Sequence, residues 1–204
     1  MQVRTVGKVV LSVEQPEGAG AQVTYLLQGC LAHEDFCGHS GTLKPGDLQE
    51  PLHGLQLWVN LRRAEKMVEP RYQELKSREV PKPRRDGVTV AVISGEALGV
   101  KVNIGCLVVP ASPGRSHGDW PVCRGWTTII YTLSGAVHVG PDNDQRRVEP
   151  HHTVVFNDGD RVKAENKASK ESHFVLIAGE PVNEPVVHHG PFVMNTEEEI
   201  DQAI

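Results

Sequence analysis

At 204 residues the chain is long enough for one medium or two small domains, each with its own core, and its 39% apolar and 23% charged residues fit an ordinary soluble globular protein. Lys plus Arg number 21 against 26 Asp plus Glu, a formal charge of −5 that offers no broad attraction for DNA or an anionic membrane, so direct nucleic-acid binding is not expected. No stretch approaches the roughly 18 apolar residues of a membrane span, MQVRTVGKVVLSVE lacks a signal peptide's apolar core and cleavage site, and Cys30, Cys37, Cys106 and Cys123 form no CxxC pair; an intracellular chain with free thiols and no structural zinc is expected.

Taken in chain order, the predicted elements are mostly strands. The run through Tyr25-x-Leu27-x-Gly29 ends at a glycine turn. HEDFCGH (residues 33–39) then places His33, Glu34, Asp35 and His39 between two apolar runs. HGLQLWVNL alternates Leu55, Leu57, Val59 and Leu61 with Gln56, Trp58 and Asn60, the period of two of a half-buried strand. EPRYQELK reads as a short helix with Pro70 at its first position. KSREVPKPRRDG, residues 76–87, is Pro-stiffened and charged and reads as a domain linker. DGVTVAVISG, GWTTIIYTLSG, HHTVVF and SHFVLIAG are further β-branched runs bounded by turn residues. NTEEEIDQAI closes the chain as a helix, with Thr196 and Glu199 spaced as a capping box and Ile200, Ala203 and Ile204 as its apolar stripe; so short a helix suggests that the chain once continued.

An internal repeat accompanies these strands. Tyr25-x-Leu27-x-Gly29 recurs as Tyr131-x-Leu133-x-Gly135, Gly46-Asp47 as Gly159-Asp160, and His53 opening HGLQLWVN as His173 opening HFVLIAGE. Their shared order predicts a duplicated β-barrel.

The residues that could carry chemistry are few. His33 and His39 lack the i,i+2 or i,i+4 spacing that brings two imidazoles to one ion, and Gly38, Gly41 and the acidic pair favour a solvated hairpin end. Cys37 lies near both histidines, but Glu34 and Asp35 would raise its thiol pKa and no third orienting group is identifiable. Glu149-x-His151 and Glu171-x-His173 have the spacing of one strand face and, if they converged, would make a mixed set suited to iron or manganese; Pro150 interrupts the first pair, and EPHH reads better as a turn. His188 and His189 would face opposite ways on an extended chain. There is no G-x-S-x-G elbow and no P-loop, and Gly18 and Gly20 lack the later glycine of a dinucleotide fingerprint.

HEDFCGH, KPGDLQ, HGLQLWVNL, EKMVEP, YQELK, DGVTVAVISGEALG, IYTLSG, EPHHT, SHFVLIAGEP and HGPFVMNT together resemble the pirin family of bicupins over most of residues 24–101 and 125–204. The resemblance implies two cupin barrels, residues 1–75 and 88–204 with 76–87 between them, and an all-β fold. It also implies a monomer found in nucleus and cytoplasm that co-regulates transcription through nuclear factor kappa-B and the Bcl-type ankyrin coactivator, with quercetin 2,3-dioxygenase activity in some members. The family's one non-haem iron is held in the first barrel by a His-x-His pair and a later His-x-Glu pair. Here no two of the ten histidines are two apart. The first pair would fall between Val23 and Thr24, and the second between Gln49 and Glu50, where this chain runs straight on. Residues 102–123 also diverge. No residue is therefore assigned a catalytic, cofactor-binding or metal-ligating role, and no cofactor is expected. The favoured reading is an iron-free binding module; the alternatives are a quercetin dioxygenase and a shortened product without function. Loss of two blocks is expected to leave open strand edges and exposed apolar faces in the first barrel, and the second half is expected to be the better ordered.

Overall fold

The alternating runs fold as strands, and a single short α-helix is found among the described residues of the computed structural model, which are 8–12, 20–28, 31–34, 40–43, 53–68, 72–75, 79–102, 107–111, 116–190 and 192–203. In the first part of the chain these are β1 (Lys8–Ser12), β2 (Gly20–Gln28), β3 (Leu31–Glu34), β4 (Ser40–Leu43), β5 (His53–Asn60), a 3-10 turn at Arg63–Glu65, and β6 (Tyr72–Leu75). Then come β7 (Arg84–Arg85), β8 (Val88–Thr89), β9 (Ala91–Val92), β10 (Gly95–Ala97), β11 (Val100–Val102), β12 (Leu107–Ala111), β13 (Ser116–Pro121), β14 (Thr127–Ser134), β15 (Val137–Val139), β16 (Arg146–Val148), β17 (Thr153–Val155), β18 (Arg161–Asn166) and β19 (Ser172–Gly179). β20 (Val187–His189), β21 (Phe192–Met194) and α1 (Glu197–Ala203) close the chain.

Two compact units result, Met1–Glu79 with Val182–Ile204, and Val80–Pro181. The range expected for the second barrel, 88–204, is thus divided, because residues 182–204 pack with the first part of the chain. The expected linker is also partly structured. Arg84 and Arg85 pair with Thr89 and Val88 around Asp86 and Gly87, whose φ angles of 51° and 80° make the two-residue turn that a D-G pair favours. The carbonyls of Pro81 and Pro83 accept hydrogen bonds from the Val92 and Val90 amides, and Val80 is buried. Residues 76–78 lie outside the described residues.

In the first unit the sheet runs β5-β2-β1-β6, all antiparallel. β6 replaces part of the helix expected over EPRYQELK: Tyr72–Leu75 lies against β1, with Val9 opposite Leu75 and Ser12 opposite Tyr72. A helix of about two turns is marginal in water, so a ready antiparallel partner decides the conformation. α1 does form where expected, and Thr196 Oγ1 caps it by accepting from the Glu199 amide at 3.2 Å.

In the second unit a sheet ordered β17-β14-β19-β12-β8-β7 faces a four-stranded sheet ordered β13-β18-β15-β16. Between them lies one apolar core, to which Val88, Ile130, Phe174 and Leu176 contribute from the first sheet and Trp120, Val137, Val139, Val148, Val162 and Ala164 from the second. The period of two is legible in β18, where Val162, Ala164 and Asn166 are buried and Arg161, Lys163 and Glu165 are not.

The internal repeat has a geometric counterpart. β2 pairs antiparallel with β5 and β14 with β19; Tyr25 stands opposite Leu55 as Tyr131 stands opposite Val175, and Gln28 opposite His53 as Ser134 opposite His173. A bulge interrupts both ladders at the same step, Leu26/Gln28 and Thr132/Ser134.

Candidate functional site

The family's iron, in the resemblance above, would be held in the first unit. The join at Val23–Thr24 falls in the middle of β2, which crosses it without interruption: Val23 stands opposite Leu11 and Leu57, and Thr24 opposite Val10 and Gln56. The other join, Gln49–Glu50, lies outside the described residues. Of HEDFCGH, His33 and Glu34 end β3, opposite Gly41 and Ser40 of β4, as a strand pair consistent with a hairpin; Asp35, Cys37 and His39 lie outside the described residues.

The other sequence candidates are scattered. His151 is exposed in a turn with φ 63°, and Glu149 pairs with Arg147 at 3.0 Å. EPHH is a turn held by the fully buried Thr132. Its amide donates to the His152 carbonyl (3.0 Å), its carbonyl accepts from the His151 amide (2.7 Å), and its hydroxyl accepts from the His152 amide (3.0 Å) and donates to the Glu149 carbonyl (2.5 Å). His173 lies on β19 between Pro110 and Ser134, and Glu171 is exposed just before that strand. Burial holds the His173 imidazole down from 6.5 to about 4, and its Nε2 has no hydrogen-bond partner among the described residues. It is therefore a neutral packed histidine at pH 7. His188 and His189 are both exposed on β20, opposite Val193 and Phe192.

A non-haem iron needs several imidazole and carboxylate groups aimed at one point. Among the described residues no three His, Cys, Asp or Glu side chains gather in that way, so these residues do not fit the ion. The second unit's interior is filled instead by aliphatic side chains around one ring pair: Trp120 meets Phe174 edge to face, with centroids 5.8 Å apart and planes at 82°. The indole folds back over Gly118, where a Cβ would come within 1.9 Å of it, so only glycine fits that position. A cleft at this end, lined in part by Arg85, His117, Asp119 and Trp120, measures about 180 Å³. That is below the roughly 300–1,000 Å³ usual for small-molecule sites.

A polar cluster that sequence reasoning did not find lies within the first unit. Lys66 is 2% exposed, and its ammonium donates to Asn60 Oδ1 at 2.6 Å and to the carbonyl of Val193, 127 residues away, at 3.2 Å. Burial pushes its pKa below the ordinary lysine value, against the opposing pull of the Glu184 and Glu199 carboxylates. Arg63 grips Glu199 through Nε at 2.7 Å and Nη2 at 2.6 Å, and its amide donates to Glu184 at 2.8 Å. Asn195 donates through Nδ2 to Glu184 (3.1 Å) and to the Pro185 carbonyl (2.9 Å), and its amide donates to Glu199 (2.9 Å). The cluster clasps residues 182–204 to the turn after β5. Only the Thr196–Glu199 capping pattern hinted at it, since apart from Asn60 its other members are more than a hundred residues from the Arg63–Lys66 turn.

Residues 109–204 match the pirin C-terminal cupin domain. The chain is 56% identical to pirin of Homo sapiens over 215 residues, covering 94% of this chain and 74% of that one. Among solved structures, a quercetin 2,3-dioxygenase from Acinetobacter baumannii superposes with a TM-score of 0.64 at 24% identity, covering 97% of this chain and 72% of that one, and shows the shared fold. A protein from Geobacillus kaustophilus gives 0.65 at 27% identity, covering 91% and 94%. Duplicated antiparallel ladders, an all-β composition and a 56% identical relative lead to one conclusion: this chain belongs to the pirin family of cupin proteins.

Proposed function

We propose that this chain is an iron-free binding module of the pirin family, acting in nucleus and cytoplasm through protein partners, of which a nuclear factor kappa-B subunit and the Bcl-type coactivator are the family's precedents. The observation that supports this reading is the continuity of β2 through Val23–Thr24, together with a sequence in which no two histidines are two apart. A His-x-His pair works by aiming residues i and i+2 of one strand at the same ion. β2 carries no histidine at all, and its central residues Val23, Tyr25 and Leu26 are buried apolar or aromatic groups. Without a redox-active ion, binding would be insensitive to oxidant.

The protein is purified with iron supplied, dialysed against a weak chelator, analysed for metal and tested for binding to a nuclear factor kappa-B subunit beside human pirin. Substoichiometric metal with retained, oxidant-insensitive binding is expected. Near-stoichiometric iron, or ring-opening of quercetin, would replace this reading with an oxygenase. Failure to bind where human pirin binds would remove the partner assignment.

A further inference from the structure

We propose that β5 is a self-association edge, pairing antiparallel with β5 of a second copy of this chain about a two-fold axis at Leu57. Among the described residues β5 has a neighbour on one side only, β2. Its counterpart in the internal repeat, β19, has neighbours on both sides, and its second edge seats β12 antiparallel, with Leu107 opposite Leu176 and Pro110 opposite His173. The equivalent edge of β5 is thus shaped for an antiparallel strand. Trp58 is 65% and Val59 39% exposed, one on each face of the strand, and the Trp58 indole donates to Gln56 of its own strand at 3.2 Å.

The character of the edge selects the occupant. Edge strands are normally protected by charge, proline or brevity. The other edges follow that rule: β7 consists of two arginines, β17 is three residues long, and β6 carries Glu74. β5 is eight residues long, with no Lys, Arg, Asp, Glu or Pro. A second copy presents the same neutral strand, so no like charges meet. Centred on Leu57, the pairing places Leu57 opposite Leu57 of the partner subunit and Leu55 opposite Val59 of the partner subunit, on the face that Leu55 and Leu57 share with buried Tyr25 and Val23. Gln56 meets Trp58 of the partner subunit on the other face. Register shifts of one residue would mix the two faces. The closed two-fold contact uses each edge once and ends there, giving a dimer.

The test is the mass of the full-length chain by light scattering and sedimentation over a concentration series, for wild type and Val59→Lys. The wild type should approach twice the chain mass, and the variant, with a lysine on the edge and its circular dichroism unchanged, should associate at least about tenfold more weakly. Leu57→Cys should cross-link to a dimer under mild oxidation, since opposite Cα atoms in antiparallel strands lie within disulfide range. His53→Cys and the wild type, treated alike, should not. A monomer at every concentration, a Val59→Lys variant that dimerises as well as wild type, or a dimer in which Leu57→Cys does not cross-link would overturn the proposal. So would association only into polydisperse aggregate, or only with an unrelated protein.

Discussion

β5 and β19 each pair with the strand that carries a Tyr-x-Leu-x-Gly signal, in the same register and with a bulge at the same step, yet they end in different surroundings. β19 lies between β14 and β12, and Phe174, Val175 and Leu176 are buried. β5 has β2 alone among the described residues, and the equivalent Gly54, Leu55 and Gln56 are exposed or half-buried. The two strands differ in sequence, with Gly54 and Gln56 standing where Phe174 and Leu176 do, and also in the number of neighbours among the described residues, so burial here follows from both the strand's own pattern and the strands that flank it.

That difference can be tested by deleting equivalent contacts. Phe174→Ala should cost about 3–5 kcal/mol, since the ring fills the core against Trp120, whereas Trp58→Ala should stay within about 0.5 kcal/mol in the monomer; denaturant titration followed by amide exchange in each unit reads both. If the two substitutions cost the same, the first unit has a core that its exposed strand does not reveal. Amide exchange in the wild type should likewise be slower over residues 125–190 than over residues 20–60, and the reverse order would invert the comparison.

The next effect is a pH dependence confined to the second unit. His173 has a folded pKa of about 4 and an ordinary unfolded value of 6.5. Between those values the unfolded chain binds more protons, so stability falls as pH is lowered through that window, by up to roughly 3 kcal/mol. His173→Phe should flatten the fall, as measured by urea midpoints at a series of pH values. An unchanged slope would mean that another group titrates.

Lys66→Met should weaken the first unit by roughly 1–3 kcal/mol, because the Asn60 oxygen and the Val193 carbonyl lose a donor and Glu184 and Glu199 lose a counter-charge. Exchange should rise in residues 182–203 and stay constant in β13 to β19; a rise in the second unit would show that the clasp does not act locally. Smallest of all, Asp119→Asn, which breaks an exposed ion pair with Arg161, should change stability by less than about 1 kcal/mol.

Much of the fold was legible in residues 53–60, where the period of two is a local property of a strand, and in residues 127–134 and 172–179, which are β-branched runs bounded by turn residues; β18 was not read from the sequence, although its alternation is local too. The α1 cap was legible because its hydrogen bond spans three residues, and the EPHH turn was legible from its proline, although the bonds that hold it come from Thr132 on β14. Tyr72–Leu75 was misread as helix because the deciding partner, β1, is some sixty residues away. Proline and charge describe residues 76–87 as a solvated segment whether or not its carbonyls find amides across a turn, so the bonds from the Val90 and Val92 amides to Pro83 and Pro81 could not be read there. His173 looked like half of a ligand pair by spacing, and only its neighbours Pro110 and Ser134 show that it is packed and neutral.

By itself the sequence determined the family, the strand content, the internal duplication and the absence of any His-x-His pair, because each is written in residue identity at short range or in repeated order. Tertiary structure decided the rest: that β2 runs through the join at Val23–Thr24, that residues 182–204 return to the first unit through Lys66 and Arg63, and that, among the described residues, β5 has one neighbouring strand while β19 has two. Those outcomes depend on pairings between distant segments, and a strand's sequence carries its faces but not its neighbours.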